Sequence, residues 1–511
     1  YNTLAAAQVV YPHATALTDE LDWAAIQAAI TYVSGLTIGG VVKIPNTGAA
    51  YLINQPLIWK PKVSIDADNR AHIKANATIT SLLETETGSG KTVTDAWLRG
   101  GRWDGNYTVT YGFNIKQAVR MRIYDFSMQA VGAYVDGATE ALSAYINIGD
   151  SAQTISCYEV YIERGIMYRR LDTTSLTKPP ANNYGIYSST SGNYSSDNHF
   201  INNAIVDVRI GIGGRHSHAK MMWNHIWNDP TETSVGSGTL ANSVELTYGI
   251  QIVDYVASLY GNQIDMFSSG NTIAYYFDTD ADLEWNQFIG NRASVIGGST
   301  GVSLANTGTF CYITTGSKVI AAGNTIRCAN PLTKYLQYDF AGDLSHFLGH
   351  GNTAYGVGSP TKWRGDTYIA EKTTGDQSLT TTYADVTGLE LTVEAGWLYD
   401  FAFYIPVSAD ATTTGIDIAV NGPSTPTSYL CTTRRYTASQ TVVENQQATY
   451  DFDTASTDSN GGTYRTFEAR GHIRVGASGG TLVARMKREN VGSATTRYRP
   501  YAILRRLTKL Q

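Results

Sequence analysis

Hydrophobic and polar residues follow three rhythms along this chain. Near the start, in LTDELDWAAIQAAITYV, Leu21, Ala24, Ala25, Ala28, Ala29 and Tyr32 recur at the spacing of a helix. Thr18 or Asp19 is placed to cap that helix and Gly35 to end it. The next stretch, GGVVKIPNTGAAYLINQPLIW, sets two β-rich runs among glycines and turn residues, which predicts the opening of a sheet. From there to about residue 355, short apolar runs and turns succeed one another with no second long helix. After a junction at GVGSPTKWRGD the pattern becomes strict alternation: Leu389, Leu391 and Val393, then Tyr399, Phe401, Phe403 and Ile405, then Ile416, Ile418 and Val420. Period-two runs separated by NGPSTPTS and ASGG predict an antiparallel β-sandwich.

The middle region repeats. The tripeptide Asn-x-(Ile/Phe) starts at Asn198, Asn224, Asn262, Asn286 and Asn324, at intervals of 26, 38, 24 and 38 residues. The shorter intervals suit one coil of a parallel β-helix and the longer ones a coil with an inserted loop. In such a solenoid no coil buries its apolar face alone, so coils stack around one core. Phe200, Ile226, Ile264 and Phe288 are expected to stack inside, the asparagines to form a hydrogen-bonded ladder, and His199, His225, Gln263 and Gln287 to form an outward column. A second repeat runs Gly211-Ile212-Gly213, Gly249-Ile250-Gln251, Ala274-Tyr275-Tyr276 and Gly301-Val302-Ser303. The predicted fold class is all-β: residues 1–50 form a cap with its helix, 51–358 a parallel β-helix, and 359–511 a C-terminal antiparallel sandwich.

The run from Asp19 to Ile30, then Gly40-Val41-Val42-Lys43-Ile44-Pro45 and Tyr51-Leu52-Ile53, resembles the capping helix and first strands of pectate-lyase-like right-handed β-helices. Glu20 and Leu21 depart from the Asp-Asp-Thr common there, and Ala50 stands where a glycine is usual. Leu391 to Gly396, Tyr399-Asp400-Phe401 and Thr414-Gly415-Ile416 resemble the terminal sandwich of bacteriophage tailspike depolymerases, and the layout is similar over nearly the whole chain. That resemblance implies a homotrimer on the virion, attached to the phage tail or baseplate through a preceding N-terminal domain. It also implies a bacterial surface polysaccharide as ligand: a capsule, exopolysaccharide or O-antigen. It carries over no catalytic residue. The chain begins at Tyr1, not Met, without a secretory signal, and is read as a piece of a longer protein.

Composition narrows the partners. The net charge is −6 with no long basic run, which argues against nucleic acid. No apolar run reaches membrane-spanning length, so no membrane partner is expected. Cys157, Cys311, Cys328 and Cys431 lack metal-ligand spacing and read as buried thiols. With 34 tyrosines and 9 tryptophans the chain is rich in rings that cover the apolar face of a sugar.

The candidate chemistry lies in FDTDADLEW, residues 277–285, where Asp278, Asp280, Asp282 and Glu284 fall at every second position. Aligning coils turns Tyr275 inward and Tyr276 and Asp278 outward, beside Gln251 and Val253. Hydrolysis of a glycosidic bond needs two carboxyl groups, and crowding keeps one of them protonated. Asp278 and Asp280 are the first pair, with Asp254 and Glu284 in reserve. A solvated turn explains the strip equally well; a calcium loop needs Gly where Leu283 stands and Glu where Ile289 stands. Arg215, His216, His225, Trp227, Tyr276, Gln251, Gln263 and Asp265 are the substrate-binding candidates. No cofactor and no metal is expected; the histidines around 216–225 lack a helical i, i+4 pair or a cysteine partner for zinc. Alternatives are a lyase cleaving a uronate-containing glycan by β-elimination through Arg215, His225 and Tyr276, or an adhesin that only binds.

Overall fold

The computed structural model describes residues 3–10, 12, 14, 16, 20–132, 142–149, 157–168, 183–188, 195–227, 248–254, 256–266, 273–279, 285–295, 308–313, 317, 319–328, 335–340, 347–350, 353–356, 367–371, 376–437, 439, 441–453, 465–490, 494–496 and 500–509. Three parallel sheets wind around one core as a β-helix, and antiparallel sheets follow. Each full coil gives a strand to each sheet. Sheet I has 11 strands, from Gly40–Ile44 to Phe347–His350. Sheet II begins at Ala50–Ile53, and sheet III has 10 strands, from Leu57–Trp59 to Tyr335–Phe340.

Sheets I and II meet at a tight corner made the same way in successive coils. One residue adopts a left-handed backbone, with φ of 55° at Asn202, 56° at Trp223, 61° at Gly261, 66° at Gly290 and 62° at Gly323. Asparagine follows it: Asn203, Asn224, Asn262, Asn291 and Asn324, all buried. Their amides form a ladder: Asn203 donates to Asn224, Asn224 to Asn262 and Asn262 to Asn291 at 2.9 Å each, and Asn291 to Asn324 at 3.2 Å. The intervals are 21, 38, 29 and 33 residues.

The tripeptide repeat therefore merges two corners. Asn198 and Asn286 precede sheet I, where their carbonyls accept from Val160 and Ala257 backbone N–H groups at 2.9 Å. Asn224, Asn262 and Asn324 precede sheet II. The apolar residues divide likewise. Phe200 and Phe288 stack in sheet I through Met221 and Leu259, whereas Ile226 and Ile264 are neighbours in sheet II. The outward residues split into His199 with Gln287 on sheet I and His225 with Gln263 on sheet II.

Sheet III shows why Gly-Ile recurs. A Cβ at Gly185, Gly211 or Gly249 would come within 2.5 Å of Ile205 Cγ2, 2.6 Å of Ile226 Cδ1 or 2.3 Å of Ile264 Cδ1, on the opposite wall of the core. The following isoleucines, Ile186, Ile212 and Ile250, are fully buried too. Two consecutive residues thus point inward, and the flanking ones are displaced outward. Gly249→Ala is expected to cost about 1–3 kcal/mol through overpacking, read as a lower midpoint in denaturant unfolding. The next strand of this sheet is Ile273–Thr279, and Gly308–Ile313 follows it with Cys311 and Tyr312 opposite Tyr275 and Tyr276. Gly301-Val302-Ser303, expected there, lies outside the described residues.

The cap helix spans Leu21–Gly35, with Glu20 at its N-cap and no side-chain cap bond; Thr18 and Asp19 lie outside the described residues. A second helix, Leu4–Val10, precedes it. The buried face is Trp23, Ala24, Ile26, Gln27 and Ile30, while Leu21 and Tyr32 are exposed. Gln27 is inside because its amide completes the first sheet III strand: Nε2 donates to Ile58 O, and Oε1 accepts from Ile58 N at 2.7 Å.

In the C-terminal part, Trp397–Ala409 pairs antiparallel with Arg465–Arg474 and Tyr501–Lys509, and Ile416–Asn421 with Gly480–Arg488. Every residue of the three alternating runs predicted above is buried. Sheet II passes into this region: Thr367–Glu371 pairs parallel with Thr353–Gly356 and antiparallel with the Tyr501–Lys509 strand. Cys157, Cys311 and Cys431 are buried free thiols.

Candidate functional site

The displaced residues of sheet III build an aromatic face. Tyr184 and Tyr187 flank Gly185-Ile186, with ring centroids 4.6 Å apart. Tyr248 packs on Tyr276 at 5.0 Å, and Tyr276 stacks on Tyr312 at 5.6 Å with an interplanar angle of 2°. Gly213 leaves room for Tyr184, whose Cε1 would lie 2.8 Å from a Cβ there. Asp278 stands exposed at the edge of this face and accepts a hydrogen bond from the Tyr276 hydroxyl at 3.3 Å. Burial, then the Asp278 charge, pushes Tyr276 up to about 12; burial, then neighbouring Tyr187, raises Tyr184 equally. These phenols stay protonated at neutral pH and are hydrogen-bond donors. Tyr184, Tyr187, Tyr248 and Tyr312 were not among the residues singled out from sequence. The repeated Tyr-Gly-Ile at 184–186 and 248–250 is the signal for two of them.

The register places Gln251 beside Tyr276 and Val253 beside Asp278, with Tyr275 fully buried. Asp254 pairs with Thr279, one step out of phase with Asp278. Asp280, Asp282 and Glu284 lie outside the described residues. Arg215 follows the end of a sheet III strand at Gly214, where φ is 102°.

His216 is not on the surface. It is fully buried, edge-on to Phe200 at 5.1 Å, with Nε2 3.0 Å from Gly213 O. Burial lowers its pKa to about 4, against an ordinary 6.5. The unfolded chain takes up a proton near 6.5 while the folded chain resists it, so this group's contribution is complete above pH 6.5 and fades as pH falls towards 4. The expected loss is roughly 3 kcal/mol. Urea unfolding across that range should show a flatter profile for His216→Leu.

His225, Trp227, Gln263 and Asp265 come together on sheet II, away from the tyrosines. His225 Nε2 lies 2.9 Å and Gln263 Nε2 2.8 Å from Asp265 Oδ2. Burial pushes the Asp265 carboxyl up, but hydrogen bonds from His225, Gln263 and Ser294, with the His225 charge, outweigh it and leave it below its ordinary value. The His225 ring packs on Trp227 at 4.2 Å.

A cavity of about 440 Å³ lies elsewhere, near the first coils, lined by Lys43, Asp66, Asp68, Asn69, Arg99 and Asp125. Within its lining Arg99 pairs with Asp66 at 2.8 Å, and Asp125 is held by Arg164, outside the lining, at 2.6 Å. Among the described residues Asp417, Asp453 and Glu489 lie close enough to share a cation, but Lys487 already fills that role, 2.5 Å from Asp453 and 3.0 Å from Glu489.

No protein-family model and no curated protein matches the sequence. The solved structures similar to it include phage tailspikes. The ORF18 protein of Geobacillus virus E2 is 14% identical, with a TM-score of 0.38 over 91% of this chain and 80% of that one. The enzymatically active domain of tailspike protein 4 from bacteriophage CBA120 is 10% identical, with a TM-score of 0.29 over 93% of this chain and 65% of that one. A mutant tailspike of E. coli bacteriophage HK620, solved with a hexasaccharide, is 11% identical, with a TM-score of 0.30 over 94% and 89%.

Proposed function

We propose that this chain is a phage tailspike that binds a bacterial surface polysaccharide along the outer face of sheet III and hydrolyses it, with Asp278 and Asp280 as the carboxyl pair. The observation that carries this reading is the parallel Tyr276–Tyr312 pair, with its hydroxyl bonded to an exposed carboxylate. Stacked rings cover the apolar face of a sugar and protonated phenols donate to its hydroxyls. Alternate residues on one strand face lie ~6.6 Å apart and neighbouring coils ~4.8 Å. Glycosidases place their carboxyls ~5–5.5 Å or ~6.5–9.5 Å apart; a β-helix face offers spacings near both, and two residues on one strand face, the relation proposed for Asp278 and Asp280, match the wider one. The lyase set is less well supported: His225 stands on sheet II and Tyr276 on sheet III, and a phenol raised to about 12 is almost wholly protonated at neutral pH, which leaves next to no phenolate to act as base.

Products decide among hydrolase, lyase and adhesin. The protein is incubated with purified capsules and O-antigens, following reducing ends and the ultraviolet absorbance of unsaturated uronates together. New reducing ends without absorbance are expected. Absorbance would point to a lyase, and binding with neither signal to an adhesin. The sandwich serves as a trimer clamp in this reading. Ending the chain at residue 360 strips Thr367–Glu371 from the Thr353–Gly356 edge and bares a strand. Monomers or aggregates are expected by light scattering, and a soluble active trimer would remove the clamp.

A further inference from the structure

The segment WNHIW, residues 223–227, a corner followed by the strand His225–Trp227, presents a second aromatic surface on another sheet from the tyrosine face. Trp227 and the half-exposed His225 form one ring pair, tilted by 31°. Trp223 opens the strand at the corner between sheets I and II. It is 61% exposed and has φ of 56°, a conformation a bulky side chain rarely takes. In neighbouring coils this corner belongs to Asn202, Gly261, Gly290 and Gly323. The indole lies over the next corner, where a Cβ at Gly261 would come within 2.6 Å of Trp223 Cδ1. Strained residues of this kind gather at functional sites. The ladder does not require a tryptophan here, since glycine serves the same corner above it.

The polar part of the surface suits holding, not cleaving. Asp265 is engaged by His225, Gln263 and Ser294, which fixes the imidazole and occupies the carboxylate. Exposed Arg292 is the register partner of Gln263 one coil further on. Two indoles, a fixed imidazole and a guanidinium match the stacking faces and hydroxyl oxygens of a sugar chain.

We propose that this surface is a second, non-catalytic glycan-binding site, which retains the polysaccharide while the tyrosine face works on it. The inference rests on the reading that the protein acts on glycans, and its test separates the two. Three proteins are measured on immobilised capsular polysaccharides and O-antigens: the unaltered chain, a Tyr276→Ala/Asp278→Asn variant, and that variant carrying Trp223→Gly and Trp227→Val. Both added residues are ones that neighbouring coils place at the same positions, Gly261 at the corner and Val206 opposite Trp227, so the fold tolerates them. Glycan retention by the second protein and an at least tenfold weaker affinity in the third, with the unfolding midpoint kept, is the expected result. Loss of retention in the second protein, or equal affinity in the third, overturns the second site and leaves the tyrosine-face reading standing. No retention of any glycan by the unaltered chain overturns both.

Discussion

Asp278→Asn should leave glycan binding intact and lower the release of reducing ends by about 10²–10⁴-fold, the usual loss when a general acid or base is removed. The substitution is nearly isosteric, sits on an exposed strand position and keeps an acceptor for the Tyr276 hydroxyl. The loss is therefore chemical and not structural. It should appear in turnover, with the affinity for uncleaved polysaccharide kept. Tyr276→Phe is the informative companion: it keeps the ring stacked on Tyr312 and removes only the phenolic donor. Unchanged turnover in Asp278→Asn would move the chemistry off this face.

The largest effect on stability is expected at Asn262. Its Oδ1 accepts from Asn224 N and Nδ2 at 3.0 and 2.9 Å, and its Nδ2 donates to Met221 O and Asn291 Oδ1 at 2.8 and 2.9 Å. All of this is buried. Truncation to alanine takes the acceptor from Asn224 N and Nδ2 and a donor from Met221 O and Asn291 Oδ1, groups on the two flanking coils, in a place water does not reach. At about 1–3 kcal/mol for each stranded group, with partial relaxation, Asn262→Ala should cost about 3–5 kcal/mol. Urea unfolding of the two proteins side by side measures it. A cost below 1 kcal/mol would mean that the ladder is ornament and apolar stacking alone sets the corner.

What the sequence disclosed depends on how each signal arises. The Trp397–Ala409 strand was legible because it buries one face, so Phe401, Phe403 and Ile405 advertise the core by alternation alone. The inward turn of Tyr275 and the outward turn of Tyr276 followed from the Gly-Ile repeat, which reflects real crowding against Ile226 and Ile264. The asparagines misled because two corners of one coil use the same tripeptide for the same task, and spacing does not say which corner is meant. The helix face read from Leu21 and Tyr32 differs from the buried one, which includes Gln27, a polar side chain buried to satisfy backbone at Ile58. His216 looked like surface chemistry beside Arg215, yet the chain after Gly214 carries it into the core against Phe200. The tyrosine face was half visible, since its members come from separate coils and meet only through register.

Among the described residues, sheet II alone of the three continues past the last coil, through Thr367–Glu371 into the C-terminal strands. In the coils, hydrogen bonds between neighbouring turns run along the long axis, so a pull from end to end is shared by three strands at every level. At the junction the described strands offer one ladder instead of three. The described strands thus make a stiff rod with a softer joint at Thr367–Glu371, and traction between its two ends should open it there first, leaving both tyrosine face and tryptophan corner undeformed.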